Sequence, residues 1–116
     1  MVLALVDDLM FRSKIKSTAV QSCVTVAFAV SADAALTAMR SKMPALVIFD
    51  LDNTRADPLS VIAAMKADAA LASIPTVGYV SHVHVDVVNA ARAAGLNDVL
   101  ARSAFTIKLP ELLAGR

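Results

Sequence analysis

Two aspartates one residue apart, Asp50 and Asp52, follow an apolar run in "ALVIFDLDNT", Ala45 to Thr54. A second acidic pair, Asp7 and Asp8, follows the apolar run "VLALV", Val2 to Val6. If the two runs are neighbours in space, Asp7, Asp8 and Asp50 meet at one edge. Three like charges so close persist only when hydrated, partly protonated or bound to a cation. A hard divalent ion suits oxygen ligands, and Mg²⁺ accepts a few carboxylates while keeping several waters. Such an arrangement can also neutralise a phosphoryl group transferred onto one of the carboxylates.

The elements that must position these acids alternate along the chain. "VLALV" reads as a strand covered on both faces. Phe11, Ile15 and Ala19 then recur every fourth residue, with Arg12, Lys14 and Lys16 between them, which predicts an amphipathic helix. "CVTVAFAV" is the second strand, rich in β-branched residues. Ser31 caps a helix that contains Ala35, Leu36 and Met39, and Pro44 ends its register before the third strand, "ALVIFD". Asp57 and Pro58 read as cap and first turn of the next helix, whose inner face is Leu59, Ile62 and Ala63. "IPTVGYVS" is the fourth strand, "VDVVNAARAAG" a helix ending at Gly95, and "DVLA" a short fifth strand. The last helix falls within Phe105 to Leu113, entered around Pro110 or a turn earlier. Five strand–helix units imply an α/β fold: a parallel five-stranded sheet with helices on both faces and right-handed crossovers. In such sheets ligands bind beyond the carboxyl ends of the strands.

Composition agrees with one domain over residues 1–116 and narrows the function. The chain is 116 residues long and 58% hydrophobic, so disorder is not expected and some apolar surface is. Its formal net charge is +1, with no basic stripe to track a phosphate backbone, so nucleic-acid binding is not expected. The lone cysteine, Cys23, sits in an apolar run and reads as a buried, inert thiol. No segment reaches the length of a membrane span. "MVLALV" meets Asp7 at once and lacks the features of a signal peptide, which makes a cytoplasmic location the expectation.

"LALVDDLMFRSKI", "LVIFDLDN" and "AGLNDVLARSAF" together resemble response-regulator receiver domains, of the flavodoxin-like class with strand order 2-1-3-4-5. The resemblance covers nearly the whole chain. It implies an acidic pair at Asp7 and Asp8, a phospho-accepting Asp50, and Mg²⁺ held by Asp7, Asp8, Asp50 and the backbone carbonyl of Asp52. A histidine kinase or another signalling protein is the implied partner. "DLDNT" by itself also resembles the first motif of haloacid-dehalogenase-like hydrolases, in which the first aspartate attacks a phosphoryl group and the second handles the proton. That family places the motif on its first strand. Here a complete strand–helix unit precedes Asp50, and only about 65 residues follow it. A small Mg²⁺-dependent phosphohydrolase using Asp50 and Asp52 is therefore the alternative, and the chain is not expected to be an enzyme.

The receiver pattern is broken at several positions. The hydroxyl residue expected at the end of the fourth strand falls on Val80, with Ser81 one place later. A one-residue shift turns a strand side chain to the other face, so Ser81 reaches the site only through a bulge or a strand-end twist. Arg102 stands in place of the family lysine. It is bulkier, planar and inclined to paired hydrogen bonds, and can lock onto Asp50 or Asp8. Ser103 replaces the following proline, so no cis peptide is expected there. Val99 replaces the aromatic residue that changes rotamer in the family, and Pro58 stands where the family has glycine. Two readings follow: a receiver phosphorylated on Asp50, and a degenerate receiver that docks a partner without phosphorylation.

Other residues take plainer readings. His82 and His84 have a spacing that suits a metal but no third ligand, and read as loop residues. Arg55 reads as solvated, and Met39, Met43 and Met65 as core. Val85, Val87 and Val88 cannot all face inward on one helix. The resemblance implies pairing, with a second copy or a partner, through the fourth helix, fifth strand and fifth helix. With no effector segment in the sequence, output is expected to pass through another protein.

Overall fold

The structure is a computed structural model that describes residues 1–52, 56–81 and 85–115. Arg55, His82 and His84 lie outside the described residues. The strands are β1 (Val2–Leu5), β2 (Val26–Phe28), β3 (Leu46–Asp50), β4 (Thr76–Val80) and β5 (Asp98–Ala101). The helices are α1 (Leu9–Gln21), α2 (Ala32–Lys42), α3 (Pro58–Ala67), α4 (Val85–Ala94) and α5 (Arg102–Leu113). All strand pairs are parallel, as the alternating pattern predicts, and their order, β2-β1-β3-β4-β5, is the one the receiver resemblance implies.

Because side chains alternate along a strand, the sheet feeds two cores. Leu3, Leu5, Val47 and Phe49 face Met39, Ile62, Met65 and Ala91 of α2, α3 and α4. Val2, Ala4, Ile48 and Tyr79 face Ile15, Phe105 and Leu109 of α1 and α5. Asp50 falls on the second parity, one pleat beyond Ile48. Opposite Gly78 there is room for the β3–α3 connection to close down on the sheet. A Cβ at Gly78 would sit 2.6 Å from Leu96 Cδ2 and 2.9 Å from Leu51 Cδ1. Leu51 N donates to Tyr79 O at 3.0 Å, so the chain between Asp50 and Asp52 is held against β4.

The caps explain most boundaries. Ser31 accepts from Ala34 N at 3.1 Å, and Gly95, at φ 112°, closes α4. Several expectations need correction. Cys23 is exposed: it lies in the turn after α1 at φ 57°, and the strand begins only at Val26. Asp57 precedes α3 at φ 44° and makes no side-chain cap, although Pro58 does occupy the first turn. Met43 ends α2 in a left-handed conformation and is 52% exposed, so only Met39 and Met65 are core. α5 begins at Arg102, directly after β5, and Pro110 lies inside it. Pro110 there is exposed, and the helix continues past the missing donor, with Ala114 N donating to Pro110 O at 3.1 Å.

Candidate acid pocket

β1 and β3 are hydrogen-bonded neighbours, with Leu5 opposite Phe49, so Asp7, Asp8 and Asp50 leave adjacent strand tips. Asp50, Asp8 and Asp52 have distinct environments. Asp50 is 6% exposed, and its Oδ1 accepts from Asp52 N at 3.0 Å. Burial pushes the Asp50 carboxyl up, against the hydrogen bond from Asp52 N–H. Asp8 is the N-cap of α1: Oδ1 accepts from Met10 N at 2.8 Å and from Phe11 N at 3.2 Å. The Phe11 N–H is the main cause that holds the Asp8 carboxyl below the usual range. Asp52 is exposed, and its Oδ2 accepts from Ser81 N at 2.7 Å, which pins the β3–α3 connection to the end of β4. The Asp52 side chain thus has a structural task, not merely a solvated one. Ser81 meets the acids through its backbone N–H, and Val80 beside it is buried.

Arg102 crosses to β1. Its Nη2 donates to Asp8 Oδ2 at 3.0 Å, and its Cζ lies 4.3 Å from the centroid of the Phe11 ring. Of the two partners the sequence offered, Asp8 and Asp50, the guanidinium takes Asp8. Both side chains are little more than a third exposed, so the ion pair is worth well under what a buried pair would give, about 0.2–1 kcal/mol. Ring stacking adds about 0.5–1 kcal/mol. Phe11 in turn stacks on Tyr79 at 4.8 Å, and Tyr79 on Phe105 at 4.6 Å.

Sequence reasoning missed Tyr79 and Phe11. Tyr79 pairs in register with Asp50 and lies at 0% exposure, yet its hydroxyl has no hydrogen-bond partner among the described residues. Burial, then the Asp50 charge, pushes its phenol far up, so it stays protonated. Arg102 Nε is likewise buried without an acceptor. The signal was a tyrosine in an otherwise apolar strand, one strand over from the acid.

Whether a divalent ion fits can be judged from these contacts. Both oxygens of Asp8 are occupied, one by backbone N–H groups and one by Arg102. Among the described residues no three His, Cys, Asp or Glu side chains converge as a metal-binding group. The unmet Arg102 Nε can only donate, whereas a cation needs lone pairs. Among the described residues, the contacts of Asp8 and Arg102 do not fit a divalent ion in this arrangement.

Solved structures place the fold. The chain resembles a response regulator from Hahella chejuensis, with TM-score 0.86 and 20% identity over 97% of this chain and 91% of that one. It resembles the chemotaxis response regulator CheY4 of Vibrio cholerae, with TM-score 0.83 and 17% identity over 97% and 93%. The Mn²⁺-bound form of response regulator Rcp1 matches with TM-score 0.77 and 20% identity over 98% and 88%. No family model and no curated protein sequence matches the chain. The fold is that of response-regulator receiver domains. Val99 is packed in the core against α4, and no cis peptide occurs among the described residues. No described helix is long and apolar enough to cross a membrane.

Proposed function

We propose that the chain is a receiver-type signalling module that acts by docking another protein and does not depend on phosphorylation. One observation carries this reading. The fold is retained, while the positions that would contact a phosphoryl group and relay its presence hold buried valines, Val80 and Val99. Neither can hydrogen-bond an oxyanion, and Val99 has no ring to swing. The partner-facing surface in this reading is the α4–β5–α5 side, where Val85 is 66% and Ile107 79% exposed. A second copy on this side is the competing occupant.

A second reading keeps Asp50 as a phospho-acceptor served by a histidine kinase and Mg²⁺. The strand-tip position of Asp50 and the Mn²⁺ bound to the Rcp1 neighbour favour it. Amide shifts decide between the two. The protein is titrated with Mg²⁺ and beryllofluoride, a phosphoryl mimic. The docking reading expects no saturable shift around Asp50. Saturable shifts that vanish in Asp50→Ala would establish the phosphorylatable receiver. The hydrolase alternative, through Asp50 and Asp52, expects phosphate release from an aryl phosphate that Asp52→Asn abolishes. The location expected for such a module is the cytoplasm.

A further inference from the structure

Asp8, beyond the tip of β1, meets a counter-charge from its own chain. We propose that Arg102 is the resident cation of this pocket and that it excludes the divalent ion the receiver fold would otherwise bind. The inference deepens the docking reading, and where an ion is expected rests on the receiver-type fold and its Mn²⁺-bound neighbour.

Two contacts and its place in the chain fix the guanidinium. It donates to Asp8 Oδ2 at 3.0 Å, lies 4.3 Å over the Phe11 ring, and starts α5 directly from the end of β5. Asp8 is held from the other side by the first backbone N–H groups of α1, at 2.8 and 3.2 Å. Its carboxylate therefore bridges a helix terminus and a cation, and both favour the ionised acid. A divalent ion entering here must displace Arg102 from Asp8 and from the ring together. A lysine would make this easier: its ammonium is a compact, strongly hydrated point on a flexible stem, without a planar face to stack on Phe11. The pocket's unmet capacity agrees, since Arg102 Nε seeks an acceptor.

The pocket carries its own reporter. Tyr79 is the chain's single tyrosine, there is no tryptophan, and its ring stacks on Phe11 beneath Arg102. Mn²⁺ titrations followed by tyrosine fluorescence and by water-proton relaxation test the proposal. The wild type should bind Mn²⁺ at least tenfold more weakly than Arg102→Ala and Arg102→Lys. Adding Asp8→Asn to either variant should remove the gained binding. Each variant's fold is checked by far-ultraviolet circular dichroism, and Arg102→Lys, the smaller change, keeps the test open if Arg102→Ala fails to fold. Wild-type binding as tight as that of the folded variants overturns the proposal. So does a gain that survives Asp8→Asn. Neither result depends on a partner or on phosphorylation, so the docking reading stands or falls separately.

Discussion

Replacing Tyr79 with phenylalanine isolates one atom. The ring is fully buried and stacked between Phe11 at 4.8 Å and Phe105 at 4.6 Å, contacts that phenylalanine keeps. Only the hydroxyl goes, and among the described residues it has no hydrogen-bond partner. A buried polar group left unmet costs about 1–3 kcal/mol. Taking the low end, Tyr79→Phe should stabilise the fold by about 1 kcal/mol and raise the melting temperature by about 4 °C. Tyr79→Ala removes the ring as well and should cost about 3–5 kcal/mol. Because the phenol stays protonated, the gain in Tyr79→Phe should be flat across the neutral pH range. Urea unfolding followed by circular dichroism measures both variants. A loss of 1 kcal/mol or more in Tyr79→Phe would falsify the reasoning, since the hydroxyl would then be holding a bond that matters.

The remaining expectations concern the acids, the sheet and the surface. Asp50→Asn should stabilise at neutral pH by about 0.5–2 kcal/mol, because it removes a buried charge that desolvation disfavours. Burial raises the folded pKa of Asp50, so its native contribution is full below the ordinary carboxylate pKa and is lost as pH rises through the folded value. The advantage of Asp50→Asn should therefore shrink on acidification, as chemical denaturation at stepped pH would show. Asp8→Ala should cost about 1 kcal/mol for the lost cap. Its pH trend runs the other way: the lowered pKa gives stability above the ordinary carboxylate value that disappears as pH falls through the folded one, so wild type and variant converge in acid. Asn97→Ala should cost about 1–3 kcal/mol in thermal melts. It removes the side-chain oxygen that takes hydrogen bonds from Thr76 N at 2.9 Å and Thr76 Oγ1 at 3.0 Å. Ile107→Glu, on an exposed site, should leave the melting temperature within about 2 °C and weaken any contact through the α4–β5–α5 side in sedimentation. Unchanged sedimentation of a self-associating wild type would place that contact elsewhere.

The fold was legible because a sheet sandwiched by helices needs strands that are apolar on both faces. "VLALV" and "ALVIFD" fit such strands, and alternation with helical periods makes the sheet parallel, while the strand order came from the resemblance alone. β2 was drawn too long, since an edge strand is only half-buried and its flanks share its composition. The start of α5 was missed because no side chain caps it and Pro110 invited a later entry. In the pocket, Asp50 and the acidic pair were readable from position alone. What Asp8 does was not: an aspartate before a helix serves equally as metal ligand and as cap, and its partners Met10, Phe11 and the distant Arg102 show only in three dimensions. Tyr79 hid inside an apolar run where a ring is ordinary filler, and only strand register places it beside Asp50.

The bond from Arg102 to Asp8 spans 94 residues of sequence, nearly the length of the chain. During vectorial synthesis Asp8 is made long before the arginine that pairs with it. Their ion pair forms only once the last strand and helix are in place, and it fastens the first helix to the last.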